Sequence, residues 1–314
     1  MPLPRHVALI LGTRPEATKL APLALALRAQ PQRWRCTLIG TGQHHALLPQ
    51  TLAAFGLAVD YDLAVMRPDQ SLTGLTARLL DGLDPLLAHL QPDWTLVQGD
   101  TTTAMAGALA AFYRRLPVAH VEAGLRTYDR FAPYPEEANR RIISSVADLH
   151  FAVTAEGAQR LTAEGIAPAT IAVVGNTGID ALLWMRACLR TAPAPAAALA
   201  ALPANLRLIL VTGHRRENFG GGIAQICAAL RALADRFPDV AIVYPVHPNP
   251  QVQEPVYRLL ADHPRIVLCA PLPYAPFVAL MDRATLILTD SGGVQEEAPS
   301  LGKPVLVLRE TTER

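Results

Sequence analysis

The stretch from Trp94 to Arg141 constrains this chain more than any other. A short apolar run, Trp94-Thr95-Leu96-Val97, stops at Gly99-Asp100, and Thr101 to Ala111 then supplies small, helix-tolerant residues. A second run, Pro117 to Val121, ends at Glu122-Ala123-Gly124, and Tyr134-Pro135-Glu136 opens a further helix behind a proline. Strand, turn, helix, repeated, is the grammar of a parallel α/β sheet. It puts Asp100 and Glu122 just past the carboxyl ends of consecutive strands, the edge where open α/β sheets bind ligands. Glu136 arrives on a flanking element, with Arg126, Arg140 and Arg141 nearby to hold carboxylates ionised or to grip an anion. Each acid alone also reads as a helix cap, a first-turn acid or a turn residue. Three acids converging on one crevice point instead to chemistry.

The same rhythm runs through the rest of the chain. Val7 to Leu11 is a strand that enters Gly12-Thr13-Arg14-Pro15-Glu16-Ala17-Thr18-Lys19 and then a helix with Leu20, Leu23 and Leu27 at helical spacing. That turn lacks the second and third glycines of a dinucleotide fingerprint, so no nicotinamide cofactor is expected. Cys36 to Ile39 ends in a polar loop, Gly40 to His45, where His44 reads either as a site residue or as a solvated loop histidine. Further strands fit Leu149 to Val153 and Ile171 to Val174, the latter running into Gly175-Asn176-Thr177-Gly178. After a Pro/Ala-rich surface connection, Thr191 to Asn205, strands fit Leu208–Thr212, Ala241–Tyr244, Ile266–Cys269, Leu286–Thr289 and Val305–Leu308. With 314 residues, 51% of them hydrophobic, two cores are expected. The fold class is α/β, with two Rossmann-like domains facing across a cleft, residues 1–174 and 175–314.

A net charge of +1, from 28 basic and 27 acidic residues, argues against nucleic acid or an anionic membrane as partner. Cys36, Cys188, Cys227 and Cys269 form no CxxC pair, which speaks against a disulfide framework or a zinc site and suggests core thiols; no metal is expected. The amino-terminal apolar run is too short for a signal peptide or a membrane span, so a cytoplasmic location is expected.

In the second half, Val211-Thr212-Gly213-His214-Arg215-Arg216-Glu217-Asn218 places a histidine and two arginines directly after a strand, where they would clasp a diphosphate or simply end a helix. Thr289-Asp290-Ser291-Gly292-Gly293-Val294-Gln295-Glu296-Glu297 is sharper. Two glycines let backbone approach a ligand, a helix amino terminus follows to receive phosphate, and Glu297 lies close enough to accept from a ribose diol.

The segments GTRPEATKLAPL, VQGDTTTAMAGALAAFY, HVEAGLRT, PYPEEANR, VGNTGIDALL, VTGHRREN, YPVHPNP, LTDSGGVQEEAPSLGKPVLVLR and TTER resemble the bacterial non-hydrolysing UDP-N-acetylglucosamine 2-epimerases nearly end to end. The resemblance implies the glycosyltransferase-B architecture, a homodimer, and interconversion of UDP-GlcNAc and UDP-ManNAc with no cofactor. Carbon 2 of the sugar has no adjacent carbonyl, so its proton comes off only if a good leaving group departs from carbon 1. UDP is such a group, and elimination to 2-acetamidoglucal followed by re-addition is the implied route.

On that resemblance Lys19, Asp100, Glu122, Glu136 and His214 fall on catalytic positions, though Lys19 is also readable as a neutraliser of a nearby acid. Arg14, Ser291, Gly292, Gly293, Glu297 and Arg314 fall on positions that hold UDP, and the backbone near Phe277 on the uracil contact. A second, regulatory UDP-GlcNAc would touch Gln43, Gln70, Glu136, Arg215 and His247. Ala46 and Asp69 replace a glutamine and an arginine of that pattern, which weakens the site. Members of the family continue several dozen residues past TTER, including a helix that crosses back to the first domain. A chain ending at Arg314 is therefore expected to be truncated and looser in closure.

Overall fold

The structure, a computed structural model, describes residues 3–42, 47–67, 69–191, 205–213, 215, 218–219 and 221–309. It divides into two compact units, Met1–Ala181 and Leu182–Arg314. The first runs β1 (Arg5–Leu11), α1 (Arg14–Arg28), β2 (Trp34–Gly40), α2 (Leu47–Ala54), β3 (Tyr61–Asp62), α3 (Leu72–Leu90), β4 (Trp94–Gln98), α4 (Thr102–Tyr113), β5 (Val118–Ala123), α5 (Glu136–Val146), β6 (Leu149–Ala152), α6 (Ala155–Ala163) and β7 (Ile171–Val173). Helix α7 (Thr177–Thr191) carries the chain across the division, later than the expected residue 174, because the helix that follows Gly175 packs its first turn on the first unit. The second unit follows with β8 (Arg207–Thr212), α8 (Gly221–Arg236), β9 (Val240–Pro245), α9 (Pro250–Leu260), β10 (Ile266–Cys269), α10 (Tyr274–Arg283), β11 (Leu286–Thr289), α11 (Gly292–Ser300) and β12 (Val305–Val307).

Each unit is built on one parallel sheet. The first has the order β3-β2-β1-β4-β5-β6-β7 and the second β10-β9-β8-β11-β12. In both, the chain winds outward one way, returns to the middle and winds out the other way, which makes two Rossmann-like domains. The direction reverses between β1 and β4 in the first and between β8 and β11 in the second. Loops leaving those four strands are the natural places for a site.

The strands read as apolar runs because both faces are covered: every residue of β5 is buried, and so are His6 to Leu11 of β1. Helix α4 lies over the reversal of the first sheet and is made of small residues for that reason. A Cβ on Gly107 would stand 3.1 Å from Ile10 Cδ1 and 3.2 Å from Val97 Cγ1, so the helix rests almost directly on β1 and β4. Leu75, Leu79, Leu83 and Leu87 form one stripe of α3 in the same core, each burial contributing about 1.5–3 kcal/mol. The second core gathers Ile209, Val211, Cys227, Leu230, Ile242 and Tyr244.

One strand was missed and one reading needs correction. Strand β3 has two exposed residues and no apolar pattern, so its pairing with Ile39 and Gly40 was not legible. Of the four cysteines only Cys227 is buried, its thiol pushed up to about 11 by burial; Cys36, Cys188 and Cys269 are half-buried. Among the described residues no helix is long and apolar enough to cross a membrane.

Candidate active site

At the reversal of the first sheet, the loops after β1, β4 and β5 meet. Glu122 is the penultimate residue of β5, and the register against β6 slips between Val121 and Ala123. Its φ is +66°, a strained value for a residue with a side chain. Together the bulge and the strain turn its carboxylate toward the carboxyl edge of the sheet. There Lys19 Nζ donates to both oxygens at 2.6 Å, and Gln98 Nε2 donates to Oε2. Lys19 is thus ion-paired with Glu122, its stem lying 3.7 Å from where a Cβ on Gly178 would sit.

Asp100 follows the Gly99 turn. Arg140 Nε donates to its Oδ2 at 2.9 Å, and Asn139 Nδ2 donates to its main-chain oxygen at 2.8 Å. Buried His120 places an Nε2 2.7 Å from the Gly99 oxygen, and burial lowers its pKa from 6.5 to about 4, so the ring is neutral and donates there. Glu136 opens α5 one turn before Arg140, on the same face of the helix. Its Oε2 is buried with no hydrogen-bond partner among the described residues. An unmet buried oxygen of this kind costs about 1–3 kcal/mol unless something arrives to satisfy it.

The neighbouring Glu137 has a different task. Fully buried, it accepts from Thr127 and Tyr128 amides at 3.0 and 3.3 Å and from Arg140 and Arg141 at 3.1 and 3.3 Å. Burial pushes its carboxyl up, but these donors outweigh burial and leave it below the ordinary range. Arg140 therefore bridges Asp100 and Glu137. Arg126, grouped with the anion-gripping cations from sequence, is instead buried on Glu164 at 2.7 Å and Ser144 at 2.9 Å, and serves the packing of α6. Its side chain has no exposed surface with which to reach a ligand.

Three further residues position this site, and two of them had no sequence signal of their own. Gln98 and His120 are strand residues inside apolar runs. Glu16, in the first turn of α1, is 1% exposed and accepts from the Gly12 and Thr13 amides at 3.0 and 2.7 Å and from Thr101 Oγ1 at 2.6 Å. Its reach back to Thr13 is a capping-box pattern, visible in the threonine and glutamate spacing. Arg14, the first residue of α1, is exposed.

The second unit repeats the arrangement. After β11, buried Asp290 accepts from the Arg215 amide at 2.8 Å and from Asn218 Nδ2 at 3.2 Å, tying the loop after β8 to the loop after β11. Tyr244 donates its hydroxyl to the Gly213 oxygen at 3.0 Å. Ser291 precedes α11, whose first two residues are Gly292 and Gly293. A Cβ at Gly293 would meet nothing within 4 Å, so packing does not demand a glycine there. Tyr274, at the start of α10, has its phenol pushed up by burial and further by the charge of Glu297, which places the two together. The Phe277 amide is spent within its helix on the Pro273 oxygen at 3.0 Å.

Of the regulatory candidates, Gln70 accepts from the Arg67 amide at 3.2 Å and from the Arg78 guanidinium. His247 Nδ1 accepts from the Asn249 amide at 3.2 Å, and Arg215 Nε is buried without a partner among the described residues. Gln43, His44, Ala46, His214 and Arg314 lie outside the described residues.

Comparison with known proteins joins these observations. The family described as UDP-N-acetylglucosamine 2-epimerase matches residues 26–314. A UDP-N-acetylglucosamine 2-epimerase of Yersinia pestis is 53% identical over 98% of this chain and 83% of its own length, and that of Escherichia coli K12 is 52% identical over the same shares. Among solved structures, a UDP-GlcNAc 2-epimerase from Neisseria meningitidis bound to UDP-GlcNAc superposes with a TM-score of 0.89 at 45% identity, covering 98% of this chain and 84% of the other. One from Methanocaldococcus jannaschii, in complex with UDP-GlcNAc and UDP, gives 0.79 at 34% identity, with 98% and 85% covered. On sequence and fold alike, this chain belongs to the UDP-N-acetylglucosamine 2-epimerase family.

Proposed function

We propose that this chain interconverts UDP-GlcNAc and UDP-ManNAc by eliminating and re-adding UDP, without net hydrolysis. A carboxylate takes the proton from carbon 2 while the bond from carbon 1 to the UDP oxygen breaks, the electron pair of the C–H bond becoming the double bond of 2-acetamidoglucal. UDP leaves with the electron pair of its bond. Protonation of carbon 2 from the opposite face and return of the UDP oxygen to carbon 1 complete the inversion. No electrons are gained or lost overall, so nothing in the scheme calls for a redox cofactor.

The observation that carries this reading is the set of three acids at the carboxyl edge of the first sheet, each in a different setting. Glu122 is ion-paired with Lys19, Asp100 is braced by Arg140, and Glu136 keeps a buried oxygen unmet among the described residues. Groups so differently placed are suited to opposite proton-transfer duties on one carbon. In the second unit, Ser291, Gly292 and Gly293 at the start of α11 offer amides and a hydroxyl to the diphosphate, and Glu297 suits the ribose diol. On the family resemblance Arg14 would meet the diphosphate, His214 would take part in the chemistry, and the backbone near Phe277 would meet the uracil.

Running the reaction on UDP-GlcNAc in deuterated water tests the proposal. Proton NMR is expected to show deuterium on carbon 2 of both nucleotide sugars at equilibrium. Free N-acetylmannosamine appearing in step with turnover would overturn the non-hydrolysing reading, and unlabelled sugars would overturn the elimination.

A further inference from the structure

In a doubly wound sheet, the turn after the first strand and the helix amino terminus that follows form a cradle of amides for a phosphate. In the first unit that cradle is already filled. Glu16 turns its carboxylate back into it and takes both the Gly12 and Thr13 amides, at 3.0 and 2.7 Å. Its other oxygen crosses the sheet reversal to the loop after β4, where the Thr101 hydroxyl donates at 2.6 Å. Thr101 in turn caps α4, its Oγ1 accepting from the Ala104 amide at 3.0 Å. The loops are also pressed together. A Cβ at Gly12 would stand 2.4 Å from Thr103 Oγ1 and 2.5 Å from Thr41 Oγ1, and those two hydroxyls are hydrogen-bonded at 3.1 Å.

Two of the groups assigned to the chemistry hang directly on this brace. Lys19 lies one turn beyond Glu16 on α1 and reaches Glu122; Asp100 is the residue immediately before Thr101. We infer that Glu16 is a positioning residue of the epimerase reaction: an internal carboxylate that occupies the phosphate cradle of the first unit and fixes the Lys19 helix and the Asp100 loop to each other across the sheet reversal. Asp290 does the equivalent in the second unit, tying the loop after β8 to the loop after β11, so one device serves both sheets. In the first unit it takes the Gly12 and Thr13 amides that a nucleotide phosphate would otherwise meet. Glu16 touches no reacting atom; it acts through Lys19 and Asp100. The inference rests on the proton-transfer roles given to those residues under the proposed function.

Three variants of the whole chain test it, assayed beside the wild type with UDP-GlcNAc. Glu16→Gln keeps the shape and replaces one acceptor with a donor. Thr101→Val removes the link across the reversal together with the cap of α4, and Thr101→Ser retains both. Misplacing acids by about an ångström costs on the order of 100-fold in turnover. Glu16→Gln and Thr101→Val are therefore expected to lose about 10- to 100-fold in kcat with KM within about threefold of wild type, because UDP is held elsewhere. Thr101→Ser is expected to recover kcat to within about threefold; a role limited to capping the helix predicts a loss for Thr101→Val but none for Glu16→Gln, which leaves the Thr101 cap in place. Wild-type kcat in a folded Glu16→Gln or Thr101→Val chain would overturn the inference, as would a rise in KM at unchanged kcat. Failure of the underlying reading looks different: the wild type itself would place no deuterium on carbon 2.

Discussion

The carboxylates of the first unit differ in how their charge is held, and each difference has a measurable consequence. Glu136 has a buried oxygen with no partner among the described residues, so its carboxylate contributes little to stability. Glu136→Gln should lower kcat at least about 100-fold while circular dichroism and melting temperature stay at or above the wild-type values. Glu122 is the opposite case, paired with Lys19 and only 7% exposed in its side chain. Lys19→Met strips that carboxylate of its cation and is expected to cost about 3 kcal/mol in urea unfolding. Lys19→Met/Glu122→Gln should recover part of that loss, which a double-mutant cycle reads directly. His120 sets a pH dependence. Its folded pKa of about 4 lies below the unfolded 6.5, so the neutral ring favours folding and that preference is complete above pH 6.5. As pH falls from 6.5 to about 4, stability should decline by about 3 kcal/mol from this residue. Unfolding titrations across that range should show a shallower slope in His120→Gln.

At the level of elements, glycines separate packing from ligand approach. Gly124 leaves β5 with φ +88°, and a Cβ there would lie 2.4 Å from the main-chain oxygen of Gly157 in α6. Neither backbone can move aside, so Gly124→Ala should cost more than about 3 kcal/mol or abolish soluble expression. Gly293 faces open space in the first turn of α11. Alanine there should leave stability unchanged or raise it by up to about 1 kcal/mol through helix propensity. UDP affinity, measured calorimetrically, should nevertheless weaken by about tenfold, since the added methyl stands where a diphosphate would approach the helix amides. Unchanged affinity in Gly293→Ala would remove α11 from the nucleotide site.

For the whole molecule, the two sheets close their hydrogen bonding separately, and the division falls inside α7. Residues 1–191, which keep that helix intact, should unfold cooperatively when expressed alone and show native-like circular dichroism. They should have no epimerase activity, because most of the residues proposed to hold UDP, the Ser291 loop and Glu297 among them, are in the other unit. Urea denaturation followed by both tryptophan fluorescence and circular dichroism checks the first expectation.

The chain itself, read without coordinates, determined the alternation of buried strand and helix. Ile266–Cys269 and Leu286–Thr289 were legible to the residue, because a short apolar run that stops at a turn signal has one local solution in a sheet covered on both faces. It also placed Asp100, Glu122 and the Ser291 loop at the ends of strands, since turn chemistry is local. Tertiary structure decided what those groups do with their charges. Lys19 meets Glu122 across 103 residues and Glu16 meets Thr101 across 85, pairings that no periodicity encodes. It separated Glu136 from Glu137, which are adjacent and identical in sequence, by burying one among four donors and leaving an oxygen of the other unmet among the described residues. Arg126 was lost to Glu164 by the same logic. Local propensity fixes where a side chain starts, but its partner is fixed by desolvation: a buried charge takes whichever opposite group the packed fold brings within reach.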